Sequence, residues 1–318
     1  MKHHYVPQFL LRRWCDAQGR LQSFKVVNGH VAANAIAPEY TGYEDGLYAV
    51  GANSLGVGQD HIEKRLFGPI DSDAAVALGK IERREAISPK DKIAWAIFLN
   101  SLRMRKPDVL DHLRNEGVAR LKDSLAKGDV ALPAGWPSSE QWLDTHYPGL
   151  LETQSLISNL SKIVLHEELT ERFHDLDWWV MPFKAEAPKL LLSDLPIHWE
   201  GGLKSDNFFM QLPIGPDRIF FATSSAKIED YLCNLPSVEL IRRVNRGTLA
   251  SSSGRVWGSD AAEGCAFIEA NLNVLGANVE PFDLIAKRYF KKRGVAPLGP
   301  HLRRLQDYDG VIGPIGTT

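Results

Sequence analysis

The spacing of hydrophobic residues changes at about residue 177. Between residues 60 and 173 they recur three or four positions apart, which predicts amphipathic helices. The clearest helix has Ser88 as its N-cap, Pro89 at its first position and Asp91 at its third, and it ends before Pro107. The same spacing predicts further helices over 60–67, 108–127 and 153–173, and a short helix after Ser138 or Ser139. Another helix is predicted with Asp71 or Ser72 as its cap and with Ala74, Leu78 and Ile81 on its apolar face.

Alternating polar and apolar residues predict strands at two places in the chain. Residues 20–27 alternate and are followed by Asn28-Gly29, a strong hairpin signal, so 30–33 is the expected return strand. Later strands are predicted over 177–184, 189–193, 208–214, 218–223 and 255–258, and later helices over 228–232, 237–250 and 261–275.

Segregation of helices from strands favours an α+β fold over a doubly wound sheet. We expect a central helical block and a mostly antiparallel sheet from the third quarter of the chain, with the N-terminal hairpin as a candidate member. The expected organisation is one α+β domain over 1–285, with a candidate internal boundary at 150–176, and a basic C-terminal segment over 286–318.

Composition fits an ordinary soluble globular protein. The chain has 44% hydrophobic and 24% charged residues, and 37 basic against 39 acidic residues give a net charge of −2. Because the net charge is close to zero, a nucleic-acid site would have to be a local cluster of basic residues. Three widely separated cysteines indicate reduced thiols, and no apolar stretch is long enough for a signal peptide or a membrane span. We therefore expect a cytoplasmic protein without a membrane partner.

Polar residues at two places are candidates for chemistry. His3 and His4 could bind a transition metal or act as a base, or they could be ordinary residues of a flexible terminus. Asp194 follows a predicted strand end, where it is either a site carboxylate or the cap of a turn. Ser193, Asp194 and His198 do not indicate a hydrolase triad, because the G-x-S-x-G elbow is missing.

Two further candidates lie on the predicted helices. Glu63 could be a metal ligand or a general base, or part of a solvated helix face. Arg103 stands with Arg105 and Lys106 at a helix end, where cations stabilise the helix dipole and could also bind a phosphate. His166-Glu167-Glu168 fails as a zinc motif because Thr170 replaces the second histidine.

Two basic clusters are candidates for nucleic-acid binding. Arg242 and Arg246 share one helix face, and a stretch without acids contains Lys287, Arg288, Lys291, Lys292, Arg293, Arg303 and Arg304. Tyr289 and Phe290 interrupt this stretch, and aromatic residues among cations suit nucleic acid. Solvated surfaces are the alternative reading of both clusters. No P-loop or dinucleotide fingerprint is present.

The opening HHYVPQFLLRRW, residues 3–14, resembles the signature of domain-of-unknown-function family 4238, an uncharacterised and mainly bacterial family. Trp14 stands where phenylalanine is usual. Weaker similarities follow in order over roughly residues 3–258: Ile62-Glu63, the RMRKP of 103–107, the LSDLP of 192–196, the QLPIGPD of 211–217, and Val244-Asn245 with Ala250.

This resemblance implies that the chain belongs to the family, but it implies no particular reaction. It also makes the polar residues in the similar segments stronger candidates for a functional site. These residues are His3, His4, Glu63, Arg103, Asp194 and Asn245. The set suits a hydrolytic site, and we expect a nuclease or phosphodiesterase in bacterial defence or toxicity. Asp194 and Glu63 would bind metal or act as base, His4 would be base or ligand, and Arg103 would bind phosphate. His3, His4 and Asp194 are the candidate ligands of a divalent metal.

The alternative gives the same residues structural roles. Asp194 would cap a turn, His4 would bond a backbone carbonyl, and Glu63 and Arg103 would form a buried ion pair. The protein would then be a non-catalytic module that binds nucleic acid or another protein. Arg242, Arg246, Lys291, Lys292 and Arg293 are its candidate nucleic-acid contacts.

Overall fold

The computed structural model describes residues 1–51, 56–200, 205 and 208–277. Within these ranges the chain has the predicted α+β fold, a helical block with antiparallel sheets. The α-helices are α1 Gln8–Leu11, α2 Gly68–Glu82, α3 Pro89–Met104, α4 Pro107–Asp129, α5 Ser139–His146, α6 Leu150–Val164, α7 Glu167–His174, α8 Ala226–Asn234, α9 Ser237–Ser251 and α10 Ala261–Glu269. The strands are β1 Lys2–His4, β2 Leu21–Val27, β3 His30–Ile36, β4 Tyr43–Asp45, β5 Asp177–Pro182, β6 Leu192–Ser193, β7 His198–Glu200, β8 Phe209–Gly215, β9 Arg218–Thr223 and β10 Val256–Gly258.

The N-terminal hairpin pairs with later strands, but in a sheet separate from the one that β5, β7, β8 and β9 form. Its sheet has the order β3-β2-β10-β6, and Val256 of β10 lies opposite Phe24 of β2. Asn28 and Gly29 both have positive φ, at 51° and 81°, as a tight two-residue hairpin turn requires. The strands of the third quarter form a second sheet in the order β5-β9-β8-β7, and β1 pairs with β4.

Helix α3 begins as its sequence predicts. The Ser88 hydroxyl accepts a hydrogen bond from the Asp91 amide at 3.2 Å, and the Asp91 carboxylate accepts one from the Ser88 amide at 3.1 Å. This reciprocal cap satisfies two of the amides at the helix end. The side of α3 that packs against α2 contributes to the core.

Several element boundaries differ from the prediction, and three of the differences have a local cause. The helix expected to start at Asp71 or Ser72 starts at Gly68, because one π-helical turn, Glu63–Phe67, runs directly into it. The helix expected over 153–173 is divided into α6 and α7, with His166 as the cap of the second. The strand expected over 189–193 is reduced to β6, because side chains satisfy the Lys189 and Leu191 amides.

The N-terminal segment is buried. Val6, Leu10, Leu11 and Trp14 are completely inaccessible and belong to the largest core cluster, which also contains Trp257. That cluster draws residues from both sides of the candidate boundary at 150–176, and the segment 286–318 lies outside the described residues. Among the described residues, no helix is long and apolar enough to cross a membrane.

Candidate functional site

His3 is completely buried on β1. The Tyr48 amide donates a 2.8 Å hydrogen bond to His3 Nδ1, so the ring proton of the neutral imidazole lies on Nε2. Nε2 is buried and has no hydrogen-bond partner within the described part of the chain. Burial is also the largest cause that lowers the pKa of His3, so the ring is neutral at pH 7.

His4 is a satisfied structural residue. Its Nε2 donates to the Pro38 carbonyl at 3.2 Å, and its Nδ1 accepts from the Gln8 amide nitrogen at 3.4 Å. Burial lowers its pKa. Both ring nitrogens are therefore occupied by protein atoms, as the structural alternative for His4 expects.

Glu63 is the first residue of the π-helical turn. Burial raises the pKa of its carboxyl to about 7, nearby Arg105 lowers it, and nearby Asp71 raises it. Glu63 Oε2 is buried without a hydrogen-bond partner among the described residues. Single π-helical turns are rare and are frequently found at functional sites.

Arg105 caps the C-terminal end of α3 and is completely buried. Its two terminal nitrogens form a bidentate contact with the Asp71 carboxylate, at 2.9 and 2.6 Å, and Nη2 also donates to Ser101 Oγ at 3.0 Å. The guanidinium carbon lies 4.2 Å from the centre of the Phe67 ring. The Nε–H is buried without a hydrogen-bond partner in the described ranges.

Tyr48 connects these residues. Its ring stacks on His3 with centroids 5.4 Å apart and contacts Phe67 at 4.6 Å. Its hydroxyl lies within hydrogen-bond distance of the carbonyls of His4, at 3.3 Å, and Arg105, at 3.2 Å. Complete burial raises its pKa well above the ordinary value, so it stays protonated and donates.

We call His3, Tyr48, Glu63, Asp71 and Arg105 the Glu63 cluster. Five buried side-chain nitrogen or oxygen atoms lack a hydrogen-bond partner in the described part of the molecule, and three belong to this cluster: His3 Nε2, Glu63 Oε2 and Arg105 Nε. Unsatisfied buried polar atoms are uncommon and destabilise a fold. Their concentration here, beside a carboxyl with a pKa of about 7, makes the cluster the best candidate for a site.

The arginine near Glu63 is not the expected one. Arg103 places its guanidinium carbon 3.6 Å from the centre of the Trp199 ring, whereas the guanidinium that acts on Glu63 belongs to Arg105. The expected Glu63–Arg103 ion pair is therefore wrong, and the buried pair is Asp71–Arg105. The two arginines are two positions apart on the end of one helix and point to different sides of it.

Asp194 belongs to a different group of residues. Its Oδ1 accepts from the Ser253 amide at 2.9 Å, and its own amide donates to the Arg255 carbonyl at 3.1 Å. Its charge acts on Tyr5, which also hydrogen-bonds Arg255. The carboxylate thus holds the turn before β10, which is the structural role considered for it.

The expected metal site is not formed. No group of three or more His, Cys, Asp or Glu side chains in the described ranges is arranged to hold a metal ion. His3, His4 and Asp194 therefore do not make a joint ligand set, because His3 Nδ1 and both nitrogens of His4 bond protein atoms and Asp194 caps a turn.

The other predicted residues lie elsewhere. Arg242 pairs with Glu239 at 3.0 Å, and Arg246 donates to Asn271 Oδ1 at 2.8 Å. Asn245 bonds the Leu191 amide and the Lys189 carbonyl, which fixes α9 to the segment before β6. Lys291, Lys292 and Arg293 lie outside the described residues.

Sequence reasoning missed Tyr48, Asp71 and Arg105 as members of the site. Asp71 is predicted only as a helix cap, and no pattern in the sequence singles out Tyr48. A usable signal existed only for Arg105, which stands in the same RMRKP segment as Arg103.

In a comparison with family models, residues 2–262 match DUF4238, which is described as a protein of unknown function. No curated protein and no solved structure matches the chain. The matched range contains every residue of the Glu63 cluster and most of the chain. The protein is therefore a member of the DUF4238 family.

Proposed function

We propose that the protein is a hydrolase in which Glu63 performs general acid–base catalysis on a phosphodiester. The observation that carries the proposal is the Glu63 carboxyl, which has a pKa of about 7 and a buried oxygen without a hydrogen-bond partner in the described part of the chain. A carboxyl in this state exchanges protons efficiently near neutral pH.

The proton moves in two steps. As a base, ionised Glu63 accepts a proton from the water whose oxygen attacks the phosphorus atom. As an acid, it then returns that proton to the oxygen that leaves when its bond to phosphorus breaks. Two such transfers in one turnover require a group that is present in both protonation states at working pH.

The substrate class follows from the other two unpartnered atoms. Arg105 Nε–H and His3 Nε2–H are both hydrogen-bond donors, and neither has an acceptor among the described residues. Donors in a low-dielectric site bind substrate oxygens, and a guanidinium is well suited to phosphate. These features support an oxyanionic substrate more than a neutral one.

The members of the Glu63 cluster differ in their exposure to solvent. Tyr48, His3 and Arg105 are almost inaccessible, but the side chain of Asp71 is 24% exposed and Glu63 is half-buried. Asp71 and Glu63 are therefore the most exposed members of the cluster, and we expect a substrate to approach from their side.

A hydrolysis assay tests the proposal. The full chain is incubated with single- and double-stranded DNA, with RNA, and with bis(4-nitrophenyl) phosphate, each with Mg²⁺ or with EDTA. We expect Glu63→Gln to reduce turnover about 100-fold or more while the protein stays folded. Glu39→Gln, at an exposed glutamate, is the matched control.

Two results would contradict the proposal. One is full activity in the Glu63→Gln variant. The other is a folded wild-type protein that hydrolyses none of these substrates but binds nucleic acid with a steep salt dependence, which would favour the non-catalytic alternative.

A further inference from the structure

Asp71 forms a salt bridge with the completely buried Arg105, and this salt bridge connects two helices. It lies in the first turn of α2, and its carboxylate holds both terminal nitrogens of Arg105 at the end of α3. The side chain of Arg105 is 1% exposed. A bidentate contact of this kind fixes the plane of the guanidinium as well as its position.

This contact determines which N–H group of Arg105 remains available to donate a hydrogen bond to a substrate. Nη1 and Nη2 are occupied by Asp71 and Ser101, so Nε–H is the donor that has no partner in the described part of the chain. The other carboxyl close enough for its charge to act on Arg105 is that of Glu63. Without Asp71, Glu63 would supply the remaining carboxyl charge that acts on the guanidinium.

We propose that Asp71 is a positioning residue that keeps Arg105 from forming an ion pair with Glu63, so that both groups remain available to the substrate. This inference rests on the proposed function of Glu63. Asp71 itself is not required to touch the substrate. Its role is to neutralise Arg105, to orient its Nε–H, and to leave the Glu63 carboxyl able to take up and release a proton.

The charged groups around Glu63 determine how its ionisation responds to the loss of Asp71. From α2, Asp71 disfavours ionisation of Glu63, and from the end of α3, Arg105 favours it. Tyr48, from the loop after β4, is protonated and carries no charge. On the segment before Glu63, Asp60 forms an ion pair with Lys64 at 2.5 Å. Removal of the Asp71 charge therefore shifts Glu63 towards its ionised form.

The test measures the ionisation of Glu63 directly. The full chain is labelled with ¹³C at the glutamate carboxyls and titrated by NMR, and the Glu63 signal is assigned by its loss in Glu63→Gln. In Asp71→Asn we expect the Glu63 titration midpoint to fall by about one pH unit or more. The control is Asp73→Asn, two positions away on the same helix, which should leave the midpoint unchanged.

Turnover supplies a second readout. If the wild type hydrolyses phosphodiesters, Asp71→Asn should lower kcat/KM about 10-fold and move the acidic limb of the pH profile to lower pH. A purely structural role for Asp71 would change stability and leave this limb in place. If the wild type shows no turnover, the proposed function fails, and the NMR titration still decides whether Asp71 controls Glu63.

A Glu63 midpoint in folded Asp71→Asn that equals the wild-type value would overturn the inference. If Asp71→Asn does not fold, Asp71→Glu keeps the charge and displaces the carboxylate by one methylene group. We then expect a midpoint between the wild-type value and that of an ordinary glutamate. An unchanged midpoint in this second variant would contradict the inference equally.

Discussion

The indole nitrogen of Trp14 donates a 2.8 Å hydrogen bond to the carbonyl oxygen of Leu190, 176 positions further along the chain. Both residues are completely buried. The opening segment of the chain is therefore connected structurally to the segment before β6. His3 and His4, which belong to this opening segment, are also buried.

Replacement of Trp14 by phenylalanine should destabilise this protein. Trp14→Phe removes the indole donor, leaves the Leu190 carbonyl without its partner, and reduces the packed volume. We expect the free energy of unfolding to fall by about 2–3 kcal/mol in urea titrations. Trp136→Phe, at a tryptophan that is 67% exposed, should change it by less than about 0.5 kcal/mol.

A Trp14→Phe variant as stable as the wild type would show that the hydrogen bond to Leu190 contributes nothing net. The m-value should be the same in all three proteins, because none of these changes alters the surface exposed on unfolding.

Glu63 should make the protein less stable as pH rises. Its carboxyl has a pKa of about 7 in the folded protein, against 4.5 as the ordinary value, so the folded state binds the proton more tightly than the unfolded state does. The resulting stability is complete below pH 4.5 and is lost as pH rises through 7. The upper limit of the effect is about 3 kcal/mol.

Glu63→Gln should therefore be more stable than the wild type at pH 8, although it lacks the proposed catalytic group. His3 and His4 act in the opposite direction, since burial lowers their pKa values and their contribution is lost at acidic pH. The quantity to measure is thus the difference in unfolding free energy between wild type and Glu63→Gln from pH 5 to 8. A difference that does not change with pH would show that the carboxyl titrates normally.

His3 should matter to the fold through its acceptor nitrogen. His3→Phe retains an aromatic ring against Tyr48 but leaves the Tyr48 amide without its 2.8 Å acceptor. We expect a loss of about 1–3 kcal/mol at pH 7.5 by urea unfolding. The variant should also lose less stability between pH 7 and 5, because the neutral buried imidazole of the wild type must be protonated on unfolding.

His30→Phe is the matched control, since His30 is exposed on β3. It should leave both the stability and its acid dependence close to those of the wild type. An equal effect of the two substitutions would show that the Tyr48–His3 hydrogen bond is not the cause.

Local signals in the sequence were sufficient for the elements that depend on near neighbours. Asn28-Gly29 specifies its turn through positive φ at both positions, and Ser88 with Asp91 specifies the start of α3. The α+β class follows from the same local patterns, because the change of periodicity at residue 177 separates helices from strands. In each of these cases the deciding contacts lie within a few residues.

The site depends on contacts that no local pattern contains. The π-helical turn at Glu63–Phe67 runs without a break into α2, so Asp71 faces α3 instead of capping a helix. Arg103 and Arg105 are equivalent by composition, and only the packing of α2 against α3 decides which of them meets a carboxylate. The resemblance to the family selected Glu63 but carried no information about its neighbours.

Substitutions of Asp194 test whether this residue has a structural or a catalytic role. Asp194→Ala removes the acceptor of the Ser253 amide and should lower the free energy of unfolding by about 1–2 kcal/mol. Asp194→Asn keeps an oxygen at that position and should lose less. In both variants we expect kcat/KM on bis(4-nitrophenyl) phosphate to stay within a factor of about 3 of the wild type, measured at a temperature where both are folded. A folded Asp194→Asn protein without turnover would return this aspartate to the active site, and the Glu63 cluster would then be only part of the catalytic machinery.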